Sequence, residues 1–200
     1  MKVFTYTMLK RRWTSIFFGA VFLTCSPAFG VEVAGISLED DIRLGDQALI
    51  LNGAGPRTIG STAAIAIGVY LTKKRNTPAE IFALEGAKRI SLTFLIDLGG
   101  ERLALAFLKG LKENNDKMER SNFIDSLQAF GAMFSQISEI HKRDQLTLDW
   151  VPGSGTVVRI NGKRLAANLP NPSFYEALLK LWLGEHPVDP MLKPLLLGNK

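Results

Sequence analysis

Apolar and polar residues alternate in several segments of the chain, which is the pattern of β-strands with one buried face. In the clearest case Ile90, Leu92, Phe94 and Ile96 alternate mostly with polar residues, so we expect such a strand over residues 89–97. Other apolar or alternating runs predict strands at residues 31–33, 42–44, 48–51, 63–71, 146–150 and 157–160. The longest of these, residues 63–71, is almost entirely apolar and is typical of a buried strand.

Glycine-containing turns separate several of these predicted strands. Gly45-Asp46 joins two short strands, and a glycine in the first turn position suits a type II′ hairpin. Pro152-Gly153-Ser154-Gly155 predicts a second turn, and Asn161-Gly162 is a strong signal for a third hairpin. The late part of the chain therefore reads as an antiparallel meander.

Spacings of three and four between apolar residues predict two helices in the middle of the chain. The first helix places on one face Leu103, Ala106, Phe107, Gly110 and Leu111. The second carries a largely aromatic stripe formed by Phe123, Leu127, Phe130, Phe134 and Ile137. We interpret this stripe as core packing and not as a cofactor site, because a helix buries such a face against its neighbours.

Capping signals predict where further helices begin. Thr77-Pro78-Ala79-Glu80 combines a capping box with a proline in the first helical position, and the helix should stop near Gly86. Ser173-Phe174-Tyr175-Glu176 is a second capping box, for a helix ending at Gly184, and Asp189-Pro190 predicts one last helical turn. This order of elements predicts an α+β fold in which helices pack on an antiparallel sheet.

The first 30 residues have the layout of a cleavable signal peptide. Lys2, Lys10, Arg11 and Arg12 precede an apolar stretch of about a dozen residues, and no acidic residue occurs before Glu32. The small residues around position 30 fit cleavage before residue 31, and the apolar stretch is shorter than the roughly 20 residues that span a bilayer. We therefore expect a signal peptide at residues 1–30, one mature domain at residues 31–200, a periplasmic or secreted location and no stable membrane anchor after cleavage.

Removal of this segment changes what the composition implies. The sequence has 24 basic and 19 acidic residues, and cleavage would leave 20 and 19, a net charge of about +1. A nearly neutral domain lacks the basic surface that nucleic acids require, so we expect no nucleic-acid partner. Cys25 is the single cysteine and would leave with the signal, which excludes disulfides and thiol chemistry in the mature form.

Several short motifs do not have the context that their chemistry needs. Gly53-Ala54-Gly55 is followed by Pro56 and by a predicted strand, so it does not open the helix that a phosphate cradle requires. Ser154 lies in a predicted turn, and His141 and His186 are far apart at predicted helix ends. A stable metal site needs three or four convergent ligands, so we expect no metal and no cofactor.

The run from Leu51 to Arg57, Leu-Asn-Gly-Ala-Gly-Pro-Arg, followed by Ala-Ile-Gly-Val-Tyr-Leu at residues 66–71, resembles the signature of the chalcone isomerase-like family. Later segments, at residues 95–115, 144–156 and 174–184, are similar to the exported bacterial branch of that family. The resemblance covers essentially all of residues 31–200. It implies an open-faced sandwich of chalcone isomerase type, with a cleft between the sheet and the helices.

The resemblance also implies roles for individual residues. Arg57 matches the arginine that stabilises negative charge in the enzymes and is implicated in holding a fatty-acid carboxylate in the non-enzymatic members. Ile65 stands where the enzymes carry a hydroxyl-bearing residue, and an apolar side chain donates no hydrogen bond. The tyrosine and asparagine of the plant enzymes fall near Arg102 and Lys109, and their late threonine falls near Leu181, beside Trp182.

Three functions are open for the chain. The first is a non-catalytic binder of a small hydrophobic acid, with Arg57, Ile65, Leu181 and Trp182 at the ligand. The second is an intramolecular lyase of chalcone isomerase type in which Arg57 is catalytic. The third is a protein that binds a partner through an exposed apolar surface on the Trp182 helix, and burial of Trp182 in the core is the alternative that would dismiss it. A structural ion pair is the alternative role for Arg57, and the sequence does not indicate the oligomeric state.

Overall fold

The computed structural model describes Met1 and residues 30–199. The predicted signal peptide lies outside the described residues except at its two ends, Met1 and Gly30. The strands are β1 (Gly30–Val33), β2 (Ile36–Glu39), β3 (Asp41–Leu44), β4 (Gln47–Ile59), β5 (Thr62–Leu71), β6 (Lys88–Phe94), β7 (Leu98–Gly99), β8 (Glu139–Ile140), β9 (Gln145–Val151), β10 (Gly155–Ile160) and β11 (Lys163–Arg164). The helices are α1 (Pro78–Ala83), α2 (Gly100–Asn114), α3 (Lys117–Ser121), α4 (Ile124–Ser135), α5 (Pro172–Leu183) and α6 (Leu192–Leu196).

Seven strands form one antiparallel sheet in the order β11-β10-β9-β6-β5-β4-β3. Two small two-stranded ladders, β1-β2 and β7-β8, accompany it. The predicted hairpin turns are present: Gly45 has a φ of 63°, and Asn161 and Gly162 have φ values of 49° and 77°. Sheet and helices together confirm the predicted α+β fold.

The two faces of the sheet support two hydrophobic clusters. On β5, Ile65, Ile67 and Val69 belong to the larger cluster, which also contains the buried residues of the helices. Ala66 and Tyr70 alternate with them and belong to a smaller cluster, in which the β1-β2 hairpin takes part. Burial on both faces explains why residues 63–71 form an almost continuous apolar run.

The expectation that the strand at 89–97 has one buried face was wrong. Ser91 and Thr93 of β6 are only 2% and 7% exposed, although they lie on the face opposite Ile90 and Leu92. Polar partners on the neighbouring strand accompany this burial, since Gln145 Nε2 donates a hydrogen bond to Ser91 Oγ over 3.1 Å. Alternation of polarity along a strand therefore did not indicate exposure here.

A buried carboxylate joins three strands on that same face. Asp149 on β9 is fully buried and accepts hydrogen bonds from Arg89 Nε at 2.6 Å and Arg89 Nη2 at 2.8 Å. Arg159 Nη1 on β10 donates a third bond to it over 2.5 Å. A buried charge is tolerated when it is paired and hydrogen-bonded, and Asp149 meets both conditions.

The helices differ from the predictions in two places. α3 was not predicted, although Asp116 and Glu119 form a complete capping box for it. α5 begins two residues earlier than predicted, because Asn171 caps it instead of Ser173 and Pro172 occupies the first turn. His141 follows the short strand β8 and is not at a helix end, which also corrects the prediction.

Aromatic contacts join α2, α4 and α5 over the sheet. Phe107 of α2 meets Phe130 of α4 edge-on, with ring centroids 5.3 Å apart, and Trp182 of α5 at 6.1 Å. Phe130 and Phe134 are buried, so the predicted aromatic stripe is core packing. None of the helices in residues 30–199 is long and apolar enough to cross a membrane.

Candidate functional site

Arg57 lies on β4, directly opposite Ile65 on β5. Residues directly opposite on antiparallel strands project to the same face of the sheet, so Arg57 shares the face of Ile65. Ile65 is 1% exposed and belongs to the larger cluster, whereas Arg57 is half-buried. The strand hairpin therefore places a guanidinium at the margin of an apolar layer.

The surroundings of Arg57 leave its charge incompletely neutralised. Burial lowers the pKa of the guanidinium from its ordinary value, and attraction from Asp189 offsets part of this. An arginine remains protonated even so. The ion pairs formed within residues 30–199 do not include Arg57, which argues against a purely structural ion pair there.

Asp189 belongs to the segment between α5 and α6 and reaches the same strand end. Its Oδ2 accepts a hydrogen bond from the backbone N–H of Thr58 over 3.3 Å. Its Oδ1 accepts from the backbone N–H groups of Met191 at 3.1 Å and Leu192 at 3.3 Å. The predicted helical turn after Asp189 is thus present, but its carboxylate also lies beside the residue that follows Arg57, which the sequence did not indicate.

Two glycines of β4 allow α6 to lie directly on this strand. A Cβ built on Gly53 would lie 2.5 Å from the Leu196 carbonyl oxygen and closer still to that of Leu195. A Cβ on Gly55 would lie 2.8 Å from Leu192 Cδ1. The Gly-Ala-Gly part of the signature is therefore a seat for α6.

Asn52 anchors the far end of this contact. Its Nδ2 donates a hydrogen bond to the Leu196 carbonyl oxygen over 2.9 Å, and its Oδ1 accepts from the Arg75 backbone N–H over 2.7 Å. Asn52 is 3% exposed, so both bonds are made in the interior. The asparagine of the signature ties the last helix to the loop that follows β5.

The segment before α6 is anchored to the helices. Val188 N–H donates to the Leu181 carbonyl oxygen over 2.8 Å, and the Val188 side chain packs beside Gly110 of α2. Asn114 exchanges two hydrogen bonds with the backbone of His186, at 2.7 and 3.0 Å. Residues 185–198, here called the C-terminal strap, thus run from the helix layer to β4 and pass Arg57.

Three of the predicted ligand residues are packed inside the protein. Ile65, Leu181 and Trp182 are 1%, 1% and 4% exposed and share the larger cluster. The Trp182 indole Nε1 is buried and finds no hydrogen-bond acceptor in the part of the chain that the structure describes. Burial of Trp182 contradicts the expectation that an exposed Trp182 helix binds a partner.

Several surface concavities in the described part of the chain lie away from the predicted ligand residues. Five of them, with volumes from about 280 to 720 Å³, are formed by described residues, and none of the five is lined by Arg57, Ile65, Leu181 or Trp182. The cleft beside Arg57 stays a prediction. In residues 30–199 no three His, Cys, Asp or Glu side chains converge as metal ligands do.

The α2 positions matched to plant-enzyme residues face solvent. Arg102 is exposed, and the side chain of Lys109 is 77% exposed and lies 3.8 Å from Glu113 on the same helix. Their neighbours Phe107 and Gly110 face the core instead. The structure therefore does not bring Arg102 or Lys109 together with Arg57.

Comparison with a solved structure identifies the fold. A crystal structure of a fatty-acid-binding protein from Arabidopsis thaliana superposes with a TM-score of 0.62 and 23% identity, covering 82% of this chain and 92% of the plant chain. At this identity the likeness establishes the fold. No curated protein sequence matches the chain.

The family assignment comes from a sequence model of whole domains. The model described as "Chalcone isomerase-like" matches residues 30–198, which include the signature at Arg57, the aromatic helices and the C-terminal strap. The matched range agrees with the extent of the fold described above, and the superposition identifies the same architecture. The chain therefore belongs to the chalcone isomerase-like family.

Proposed function

We propose that this protein is a non-catalytic binder of a small hydrophobic acid such as a fatty acid, and that Arg57 pairs with the acid's carboxylate. The observation that carries the proposal is the half-buried Arg57 guanidinium, opposite the buried Ile65 and without an ion pair within residues 30–199. The carboxylate of such an acid can pair with the guanidinium, and its apolar tail can pack against the apolar residues beside Ile65.

Two further observations support an acid of this kind. The structurally similar Arabidopsis protein is a fatty-acid-binding protein, and this chain has the same fold. Ile65, opposite Arg57, belongs to the larger cluster, whose apolar side chains suit the tail of such an acid. Since these side chains are closely packed, the tail enters by displacing them.

Binding is favoured over turnover by the groups that surround Arg57. The cross-strand neighbour that carries a hydroxyl in the enzymes is Ile65 here, and Arg102 and Lys109 face solvent. A lyase needs donors and acceptors held against the reacting atoms, and apolar side chains supply none. The Arg57 guanidinium can hold an anion without providing proton transfer.

The energetics of the proposed complex are sufficient for specific binding. Each methylene moved from water into the apolar layer contributes about 0.8 kcal/mol. Removing one partner of a desolvated, hydrogen-bonded charge pair costs roughly 2–5 kcal/mol. The low end of that range corresponds to a loss of about thirtyfold in affinity.

Replacement of Arg57 tests the proposal. Titration of a dansyl-labelled undecanoic acid, followed by its fluorescence, should show that Arg57→Ala binds at least about thirtyfold more weakly than the parent. Arg164→Ala is the matched control, because Arg164 is exposed on the edge strand β11. Equal binding by Arg57→Ala and the parent would remove Arg57 from the site. Enantioselective cyclisation of naringenin chalcone by the parent would support the lyase instead.

We propose further that the protein works in the periplasm or outside the cell. The basic head, apolar stretch and small residues of positions 1–30 support export and cleavage before Val31. N-terminal sequencing of protein recovered from the periplasmic fraction should begin at Val31. A chain that stays in the cytoplasm and retains Met1 would contradict the proposed location.

A further inference from the structure

A carboxylate of the chain itself, that of Asp189, lies at the end of β4 that carries Arg57. Asp189 Oδ2 is 3.3 Å from the backbone nitrogen of Thr58, the residue that follows Arg57. Asp189 therefore meets β4 at the same strand end, although it does not form an ion pair with Arg57. This arrangement holds a negative charge near Arg57 without occupying the guanidinium.

The C-terminal strap holds that carboxylate in place from both sides. Towards the helices, Val188 bonds to Leu181 and packs beside Gly110. Towards the sheet, α6 rests on Gly53 and Gly55 and is bound by Asn52. Asp189 lies between these two anchors, so its distance from β4 is set by the strap as a whole.

We infer that Asp189 competes with the ligand's carboxylate for Arg57 and thereby sets the affinity of the site for acids. The inference rests on the proposed function. Two carboxylates beside one guanidinium repel each other, and the repulsion is appreciable over several ångströms at a protein surface. An entering acid must therefore displace Asp189 or bind less tightly, whereas a neutral ligand of the same shape is unaffected.

Asp189 also stabilises the turn that leads into α6, and the two roles can be separated. Asp189 Oδ1 accepts from the N–H groups of Met191 and Leu192, at the start of the last helical turn. Asparagine and serine accept such bonds nearly as well as aspartate but carry no charge. Asp189→Asn and Asp189→Ser therefore remove the competing charge and keep an acceptor for Met191 and Leu192, while the bond from the second oxygen to Thr58 is lost.

The experiment compares an acid with its neutral ester. The dansyl-labelled undecanoic acid and its methyl ester are titrated into the parent, Asp189→Asn and Asp189→Ser at neutral pH. Both variants should bind the acid about tenfold more tightly than the parent, which corresponds to the loss of one nearby like charge. The ester should bind all three proteins equally.

Each of the other possible results contradicts either the competition by Asp189 or the proposed function. Unchanged or weaker acid binding by both variants, with normal binding by the parent, would overturn the competition alone. Equal gains for acid and ester would show that the strap has loosened, and would also overturn it. No binding of either probe by any of the three proteins would overturn the proposed function and the competition with it. Circular dichroism of each variant verifies that it is folded.

Discussion

Replacing Gly53 with alanine tests how closely α6 packs on β4. The added Cβ would lie 2.5 Å from the carbonyl oxygen of Leu196. Because this oxygen is a backbone atom, no rotamer change relieves the clash, and α6 has to move. The helix buries Leu192 and Leu196, which are 1% and 0% exposed. Overpacking costs about 1–3 kcal/mol, and each leucine contributes about 1.5–3 kcal/mol when fully buried. We therefore expect Gly53→Ala to lower the free energy of unfolding by about 2–4 kcal/mol.

Urea unfolding followed by circular dichroism measures this loss. Gly131→Ala is the matched control, since Gly131 lies within α4 and a Cβ there meets nothing within 4 Å. A helical Gly→Ala change without a clash should stabilise by up to about 1 kcal/mol. Gly53→Ala with the stability of the parent would show that α6 is not seated on the glycines, and the account of the signature would fail.

Two further predictions concern buried ionisable groups. Asp149→Asn should lower the free energy of unfolding by about 3–5 kcal/mol, because it leaves Arg89 and Arg159 without a buried anion. Adding Arg159→Gln should recover part of this in urea unfolding, and a double variant as unstable as the sum of the two single changes would contradict the pairing. Burial, with a smaller contribution from Glu39, raises the pKa of Tyr70 to about 12. The raised pKa makes stability complete below the unfolded value of about 10 and causes it to fall as pH rises towards 12. Tyr70→Phe should reduce this fall in urea midpoints measured against pH, and an unaltered fall would exclude Tyr70 as its source.

Much of the fold could be predicted because its signals are local. The hairpin at Asn161-Gly162 depends on two adjacent residues with positive φ, and both adopt it. The continuous apolar run of β5 follows from burial on both faces. α3 escaped prediction because it has five residues and none of them is buried, so it leaves no apolar stripe to detect. Its capping box, Asp116 with Glu119, was the available signal.

The candidate site could be predicted only in part. Arg57 and Ile65 belong to neighbouring strands of one hairpin, so their proximity follows from local pairing. Asp189 is 131 residues from its partner Thr58, and no periodicity or spacing relates the two. Trp182 illustrates a second limit, because an aromatic residue on a helix can face the core or solvent with the same spacing. Long-range packing determines both the position of Asp189 and the burial of Trp182.

The signature at residues 51–57 has two roles: its glycines make room for α6, and its last residue, Arg57, lies at the candidate site. Side chains two apart on a strand lie on the same face, so Gly53, Gly55 and Arg57 all face the helix side. The two glycines admit α6, and Arg57 follows at the end of β4 that Asp189 of the strap approaches. A change that lifts α6 should therefore also draw Asp189 away from Arg57. If Asp189 competes with the ligand, Gly53→Ala should bind the dansyl-labelled acid more tightly despite its lower stability, whereas Gly131→Ala should bind like the parent. Weaker binding by Gly53→Ala would instead mean that α6 forms part of the wall that holds the acid.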